Sequence, residues 1–279
     1  MDQLDNPFPL SLCPTGMVPS REDSPHVPLE PQEIADQALE CAELGVTSVH
    51  LHARNPLGEP AWERDYYAQI ISRIRPTRPD LVLCVTTSGR VESDVNRRAD
   101  VLELDGDVTP DMASLTLSSM NFANSASVNA PQDVAFLARR MLERGIKPEL
   151  EIFDTGMVNY ANYLIEKGLL KPPFVANLLL GGVASAQATP LDLGSLTSRL
   201  PIGTTWLVAG IGRAQLSSNM MGLAAGGGVR IGLEDNLHLD NARNRLATNL
   251  ELVKRITRIG EEMGRLVMTP AEFRRRALS

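Results

Sequence analysis

The sequence predicts a single (β/α)8 barrel of the TIM type over residues 1–279, and three observations carry that expectation. About eight short runs of branched aliphatic residues recur along the chain, helical periodicity fills most of the intervals, and 279 residues suit one closed barrel. No Pro- or Ser-rich linker, charge block or short repeat divides the chain.

The strand candidates are PLSLCPTG (9–16), TSVHLHA (47–53), LVLCVTT (81–87), MASLTL (112–117), PELEIFD (148–154), FVANLLLG (174–181), TWLVAGIG (205–212) and GVRIGLE (228–234). Between them, 33–45, 65–75, 134–145, 159–168 and 214–226 carry apolar residues at spacings of three and four, the pattern of a one-sided helix. Pro31 leads into the first helix, and Gly45, Gly145 and Gly168 fall where helices should stop. The stretch 241–264 reads as one longer amphipathic helix. Such alternation predicts parallel βαβ units. VLELD (101–105) is an alternative strand that would unsettle the count around the fourth.

Composition narrows the function classes. Hydrophobic content of 43% against 22% charged is enough to build a core. The net charge of −7 argues against general nucleic-acid affinity while leaving room for a local basic patch. The acidic start MDQLDNPFPLSL has no basic region followed by an apolar run, and no stretch approaches ~18 uninterrupted apolar residues. No export and no membrane partner are expected, and a cytoplasmic location is. Cys13, Cys41 and Cys84 are widely spaced and odd in number, so they read as small buried residues, not as disulfides or a CxxC metal knuckle.

Chemistry enters at SVHLHARNP (48–56). On a strand His50 and His52 point the same way, roughly 6.5–7 Å apart, and can converge on one ion; two structural histidines are the alternative. Zinc hydrolases of the amidohydrolase type also carry HxH on a barrel strand, but they need further histidines on later strands, and only His26 and His238 remain. A His2Glu set needs a carboxylate at another strand's carboxyl end. GGGVRIGLEDN (226–236) offers Glu234 there, on the face shared with Arg230 and followed by Asp235; a helix cap or solvated loop is the alternative for the Glu-Asp pair.

These segments, with PTG (14–16), VTTSG (85–89), MASLTLSSMNF (112–122), PELEIFDTGMV (148–158) and WLVAGIGR (206–213), resemble the β-keto acid cleavage enzymes, including the 3-keto-5-aminohexanoate cleavage enzymes. The resemblance implies a (β/α)8 barrel with one Zn2+, usually a homotetramer, that condenses a β-keto acid with acetyl-CoA to give acetoacetate and a new acyl-CoA. It implies His50, His52 and Glu234 as metal ligands and Arg230 with Asp235 as the proton-transfer pair, where a structural ion pair is the alternative. Thr86 and Ser114 align with substrate-contacting hydroxyls as conservative replacements. One departure matters more. Where the aminohexanoate-cleaving members have a glutamate two residues past the first-strand glycine, this chain has Val18, which cannot pair with a buried ammonium, so aminohexanoate is not the expected substrate.

Further candidates are less specific. Glu151 would form a polar wall if the fifth strand's face turns inward, whereas Glu149 reads more as a solvated strand end. Arg54 suits a role orienting a carboxylate, or a simple ion pair. GGVA (181–184), AGIGR (209–213) and AAGGG (224–228) are candidate turns for CoA phosphates, with close packing as the alternative, and Arg213 would meet CoA or line the pocket. Arg90 would attract an acidic substrate tail if it turns inward, and Trp62 and Trp206 read as packing residues. Two rival functions stand beside the leading one: a metal-dependent barrel lyase or hydrolase without acetyl-CoA, and a catalytically silent metabolite-binding barrel.

Overall fold

The computed structural model describes residues 7–279; the acidic first six residues lie outside them. Eight parallel strands close into a barrel: β1 (Leu10–Leu12), β2 (Ser48–Leu51), β3 (Val82–Val85), β4 (Met112–Thr116), β5 (Lys147–Ile152), β6 (Val175–Leu180), β7 (Thr205–Gly210) and β8 (Gly228–Ile231). Each strand pairs with the next in sequence, and β8 returns to β1 with Ser11 opposite Arg230. The predicted barrel is the observed one, and every strand falls inside its expected run except β5, which begins one residue early at Lys147.

The helices are α1 (Pro31–Ala42), α2 (Arg64–Ile74), α3 (Val95–Ala99), α4 (Pro131–Arg144), α5 (Thr155–Glu166), α6 (Pro190–Thr197), α7 (Gln215–Ala224), α8 (Asn249–Glu262) and α9 (Pro270–Ala277). Pro31 occupies the first turn of α1, and Gly145 ends α4 in the left-handed conformation. VLELD is not a strand: Asp100–Glu103 form a 3₁₀ turn. The last long helix begins at 249, not 241, because Thr248 caps it through a reciprocal box with Glu251. Residues before the cap fold back, with Ala247 N–H bonded to the Leu237 carbonyl. Among the described residues no helix is long and apolar enough to cross a membrane.

Strand alternation divides the core in two. Outward residues such as Val49, Leu51, Leu83, Leu115, Leu150 and Val208 pack beneath the helices in the main cluster. Inward residues at the amino ends, Val82, Met112, Val175 and Leu207, form a floor closed by Met268 and by Phe273 and Ala277 of α9. Above this floor the interior turns polar: Ser11, Ser48, His50, Glu149, Asn177 and Arg230 are all buried. Strands in an all-parallel barrel are covered on both faces, so inward polar side chains are costly unless they are used or paired.

Candidate active site

Both histidines stand on the interior side of β2, His50 within the strand and His52 just past its end. Glu149, on β5 three strands further round the barrel, accepts the His50 Nδ1 hydrogen at 2.7 Å and also accepts from the Cys84 thiol at 3.3 Å. An ionised carboxylate only accepts, so this contact fixes the proton on Nδ1 and leaves Nε2 of His50 free to offer a lone pair beside His52 Nε2. Glu149 is therefore buried and engaged, which corrects the expectation of a solvated strand end. Its partner was invisible in sequence because 99 residues separate them.

Glu234 reaches the same place from β8. Its Oε1 lies 3.2 Å from His52 Nε2, which in turn lies 3.2 Å from His50 Nε2. Gly16 of the PTG turn makes room for it: a Cβ there would meet Glu234 Cγ at 2.6 Å, and its φ of +70° is one that only glycine adopts without strain. Gly232, two residues before Glu234, lies so close to β1 that a Cβ would sit 2.1 Å from the Cys13 carbonyl oxygen. Asn249 at the start of α8 ties the two loops, donating to the Pro14 carbonyl at 3.0 Å and accepting from Leu233 N–H at 3.0 Å.

Arg230, 1% exposed, organises the acids. It donates to Glu234 at 2.8 Å and to Asp235 and Glu151 at 3.3 Å each, while Thr116 donates to the other Glu151 oxygen at 2.6 Å. Three carboxylates thus meet one central guanidinium while a fourth, Glu149, pairs with His50, and the local charge is negative. Burial raises Asp235 to about 6, with Glu234 adding to the rise against the pull of Arg230. Burial and Arg230 oppose a charge on His50, but Glu149 and Glu234 outweigh them and raise it. Burial lowers His52. Burial would raise Glu234 too, yet His52, Arg230 and His50 hold it well below the usual carboxylate range.

The donor set fits a divalent cation. Ligand atoms of His50, His52 and Glu234 all lie within 4.8 Å of one another. Two ligands ~2.0–2.1 Å from a tetrahedral zinc stand roughly 3.3 Å apart, close to the two observed 3.2 Å separations. The second oxygen of Glu234 is buried without a partner among the described residues, and the excess negative charge is of the sign a cation neutralises. His50, Cys84 and Glu149 form a second close group, but Glu149 there serves to orient His50.

A cavity of about 390 Å³ opens above these ligands. His52, Glu234, Asp235, Arg230, Glu151 and Thr86 line it. Val18 also lines it at the mouth, 54% exposed, beside buried Met17. Ser114 does not reach the lining: it stands behind Thr86, their hydroxyls 3.5 Å apart, and accepts from Thr87 N–H at 3.2 Å. Arg213 is exposed outside the cavity. His26 and His238 do not line it either.

Among the described residues Arg54 orients no carboxylate. It donates to the Gly16, Pro19 and Gly58 carbonyls at 2.7–3.1 Å, pinning the loop that carries Met17 and Val18. Of the glycine turns, Gly181 and Gly182 at the carboxyl end of β6 line the cavity, as does Ile211 after β7. AAGGG instead leads into the amino end of β8, where a Cβ on Gly227 would meet the Trp206 ring at 2.0 Å. That turn is a packing device at the end away from the cavity, and Trp206 packs as expected.

The chain matches the model of the family described as beta-keto acid cleavage enzyme over residues 7–278. A 3-keto-5-aminohexanoate cleavage enzyme of Fusobacterium nucleatum is 35% identical over 261 residues, 93% of each chain. A 3-oxoadipate:acetyl-CoA acetyltransferase of Cupriavidus necator is 35% identical over 277 residues, 97% of this chain and 94% of that one. A solved structure, a binary complex of ObcA with oxaloacetate, superposes with a TM-score of 0.79 at 21% identity over 90% of this chain and 67% of that one. At that identity the likeness concerns the fold alone.

Proposed function

The chain belongs to the beta-keto acid cleavage enzyme family, and from that premise we propose that it is an acyltransferase using a metal at His50, His52 and Glu234. The reaction is a β-keto acid with acetyl-CoA giving acetoacetate and a new acyl-CoA. In it the bond between C2 and the C3 carbonyl of the keto acid breaks. C2 takes the acetyl group from acetyl-CoA, and the released acyl group leaves on the CoA sulfur. The observation that carries this reading is the convergence of both histidine Nε2 atoms and Glu234 on one point beside the Arg230–Asp235 pair.

A zinc held by that set would supply Lewis-acid stabilisation of the negative charge that develops on the substrate's oxygens. The remaining roles belong to the chain. Asp235, held at 3.3 Å from Arg230 and lining the cavity, takes the proton from C2 and later returns one. Arg230 keeps its acids ionised and in place, and its position against the cavity lets it meet the substrate carboxylate. Thr86 offers a hydroxyl in the wall, and Ser114 positions it. Glu151 is already shared between Arg230 and Thr116, so it fixes the wall on that side.

The relatives' names differ in the substrate's far end, one an aminohexanoate and one an oxoadipate. Val18 offers no charge to an ammonium group, so a keto acid without a cationic tail is the substrate we assign. A homotetramer is the assembly the family resemblance implies, and the cytoplasm is the location that the three unpaired cysteines suit.

The test is product formation from a panel of β-keto acids with and without acetyl-CoA. Acetoacetate and a new CoA ester should appear only when acetyl-CoA is added. Glu234→Gln should lose metal and turnover together, whereas Asp235→Asn should keep metal and lose turnover. Activity without acetyl-CoA, or full activity in both variants, would sink the reading.

A further inference from the structure

The wall of the cavity carries a cation that the proposed reaction leaves unused. Arg90, half-buried, lines the same cavity as His52 and Glu234. Its guanidinium carbon lies 3.8 Å from the centroid of the Phe122 ring, which itself meets Phe153 edge-on at 5.9 Å. Stacking occupies one face of the guanidinium and leaves its N–H groups free in the plane, the geometry that grips a carboxylate with two parallel hydrogen bonds. Among the described residues no carboxylate lies within ion-pair distance of it. Every acid in the cluster is instead committed to Arg230 or to a histidine.

The position of Arg90 is built. Its backbone N–H donates to the Ser88 hydroxyl at 3.3 Å, Ser88 backbone N–H donates to Thr86 Oγ1 at 3.1 Å, and Thr87 donates from its own hydroxyl to the Ser114 carbonyl at 2.6 Å. Buried Arg98 clasps the Thr87 carbonyl at 2.9 Å, and Gly89 passes so near Val128 that a Cβ would sit 2.5 Å from its carbonyl oxygen. A loop held at this many points presents its side chain in a set place, which lowers the ordering cost of binding. Arg90 is stacked on Phe122, and the cavity lining it shares includes the apolar Met17, Val18 and Phe153 beside the hydroxyls of Thr86, Ser88 and Ser127. A desolvated cation in such surroundings favours an anionic ligand and disfavours a cationic one.

We propose that Arg90, stacked on Phe122, is the specificity-determining residue of this site and selects β-keto acids whose far end carries a second carboxylate. The proposal rests on the reading of the site as a β-keto acid site, and it adds the substrate class. The phosphates of CoA are the competing anion; Arg90 lines the same cavity as the metal set, whereas exposed Arg213 stands outside it, and that placement favours the keto acid's tail.

The experiment compares three six-carbon 3-oxo acids whose sixth carbon is a methyl, a carboxylate or bears an ammonium group. Zinc-loaded protein is measured by calorimetric binding without acetyl-CoA and by turnover with it. The carboxylate-ended acid should bind best, and Arg90→Gln should weaken it about tenfold to a hundredfold through KM, far more than it weakens the methyl-ended one. Arg90→Glu should invert the order of the carboxylate- and ammonium-ended acids, which a merely structural role would not do. Equal losses for all three acids, no preference in the wild type, or a change confined to the KM of acetyl-CoA would overturn the assignment. Absence of turnover with Arg90-dependent binding intact would instead overturn the reaction and leave the substrate class standing.

Discussion

Glu149→Gln is the perturbation that most directly examines how the site is built. The substitution keeps volume and shape and removes one negative charge from a carboxylate that is 2% exposed and 2.7 Å from His50 Nδ1. If the amide oxygen faces the histidine, the bond survives without its charge, at about half its strength. If the amide N–H2 faces it, Nδ1 must become the acceptor and the proton moves to Nε2, the atom that points at His52. Either way the imidazole is a poorer ligand. Loss of such an orienting carboxylate costs about 10–100-fold in metal affinity, or roughly 1.4–2.7 kcal/mol. The assay is competition between apo-protein and a chromogenic zinc chelator, with circular dichroism to confirm folding. Cys84→Ala, which removes only the weaker thiol donor to the same oxygen, should shift affinity less. Wild-type zinc affinity in a folded Glu149→Gln protein would refute the reasoning.

Three other outcomes follow from the same coordinates. Gly16→Ala should lower zinc affinity and turnover together in a folded protein, because a Cβ at φ +70° costs about 1–2 kcal/mol and would displace Glu234, whose Cγ it meets at 2.6 Å; unchanged zinc binding would contradict this. Phe273→Ala opens the barrel floor and should cost about 3–5 kcal/mol, read as a fall in melting temperature of roughly 6–12 °C, and a shift under about 2 °C would show that α9 does not seal the barrel. Burial pushes the Cys41 thiol up to about 12 and raises Cys13 and Cys84 as well, so the thiolate fraction of Cys41 at pH 7 is on the order of 10⁻⁵. A colorimetric disulfide reagent should therefore label none of the three in the native protein and all three after denaturation; rapid native labelling at pH 7 would refute their burial.

The sequence by itself determined the barrel, and it singled out His50, His52 and Glu234, which the structure brings together. Strand and helix periods differ, 2 against 3.6, so their alternation is legible locally, and the same period of 2 puts His50 and His52 on one side. The start of α1 was legible at Pro31, whereas α9 was not anticipated although Thr269 caps it and Pro270 opens it. Thr248 shows the converse, since its box with Glu251 stops a pattern that periodicity carries back to 241.

Tertiary structure decided what each polar residue does. Glu149 and Glu151 have the same local sequence character, yet register across the barrel brings one to His50 and the other to Arg230 and Thr116. Arg54 was ambiguous between partners in sequence and proved to hold backbone carbonyls. AAGGG read as a phosphate turn until the strand direction placed it at the amino end of β8. Arg90 faced inward only because a loop pinned through Ser88, Gly89 and Arg98 carries it onto Phe122. Side-chain period is a property of a few consecutive residues, whereas partnership, burial and the charge of a cavity arise only when strands distant in sequence are closed into one barrel.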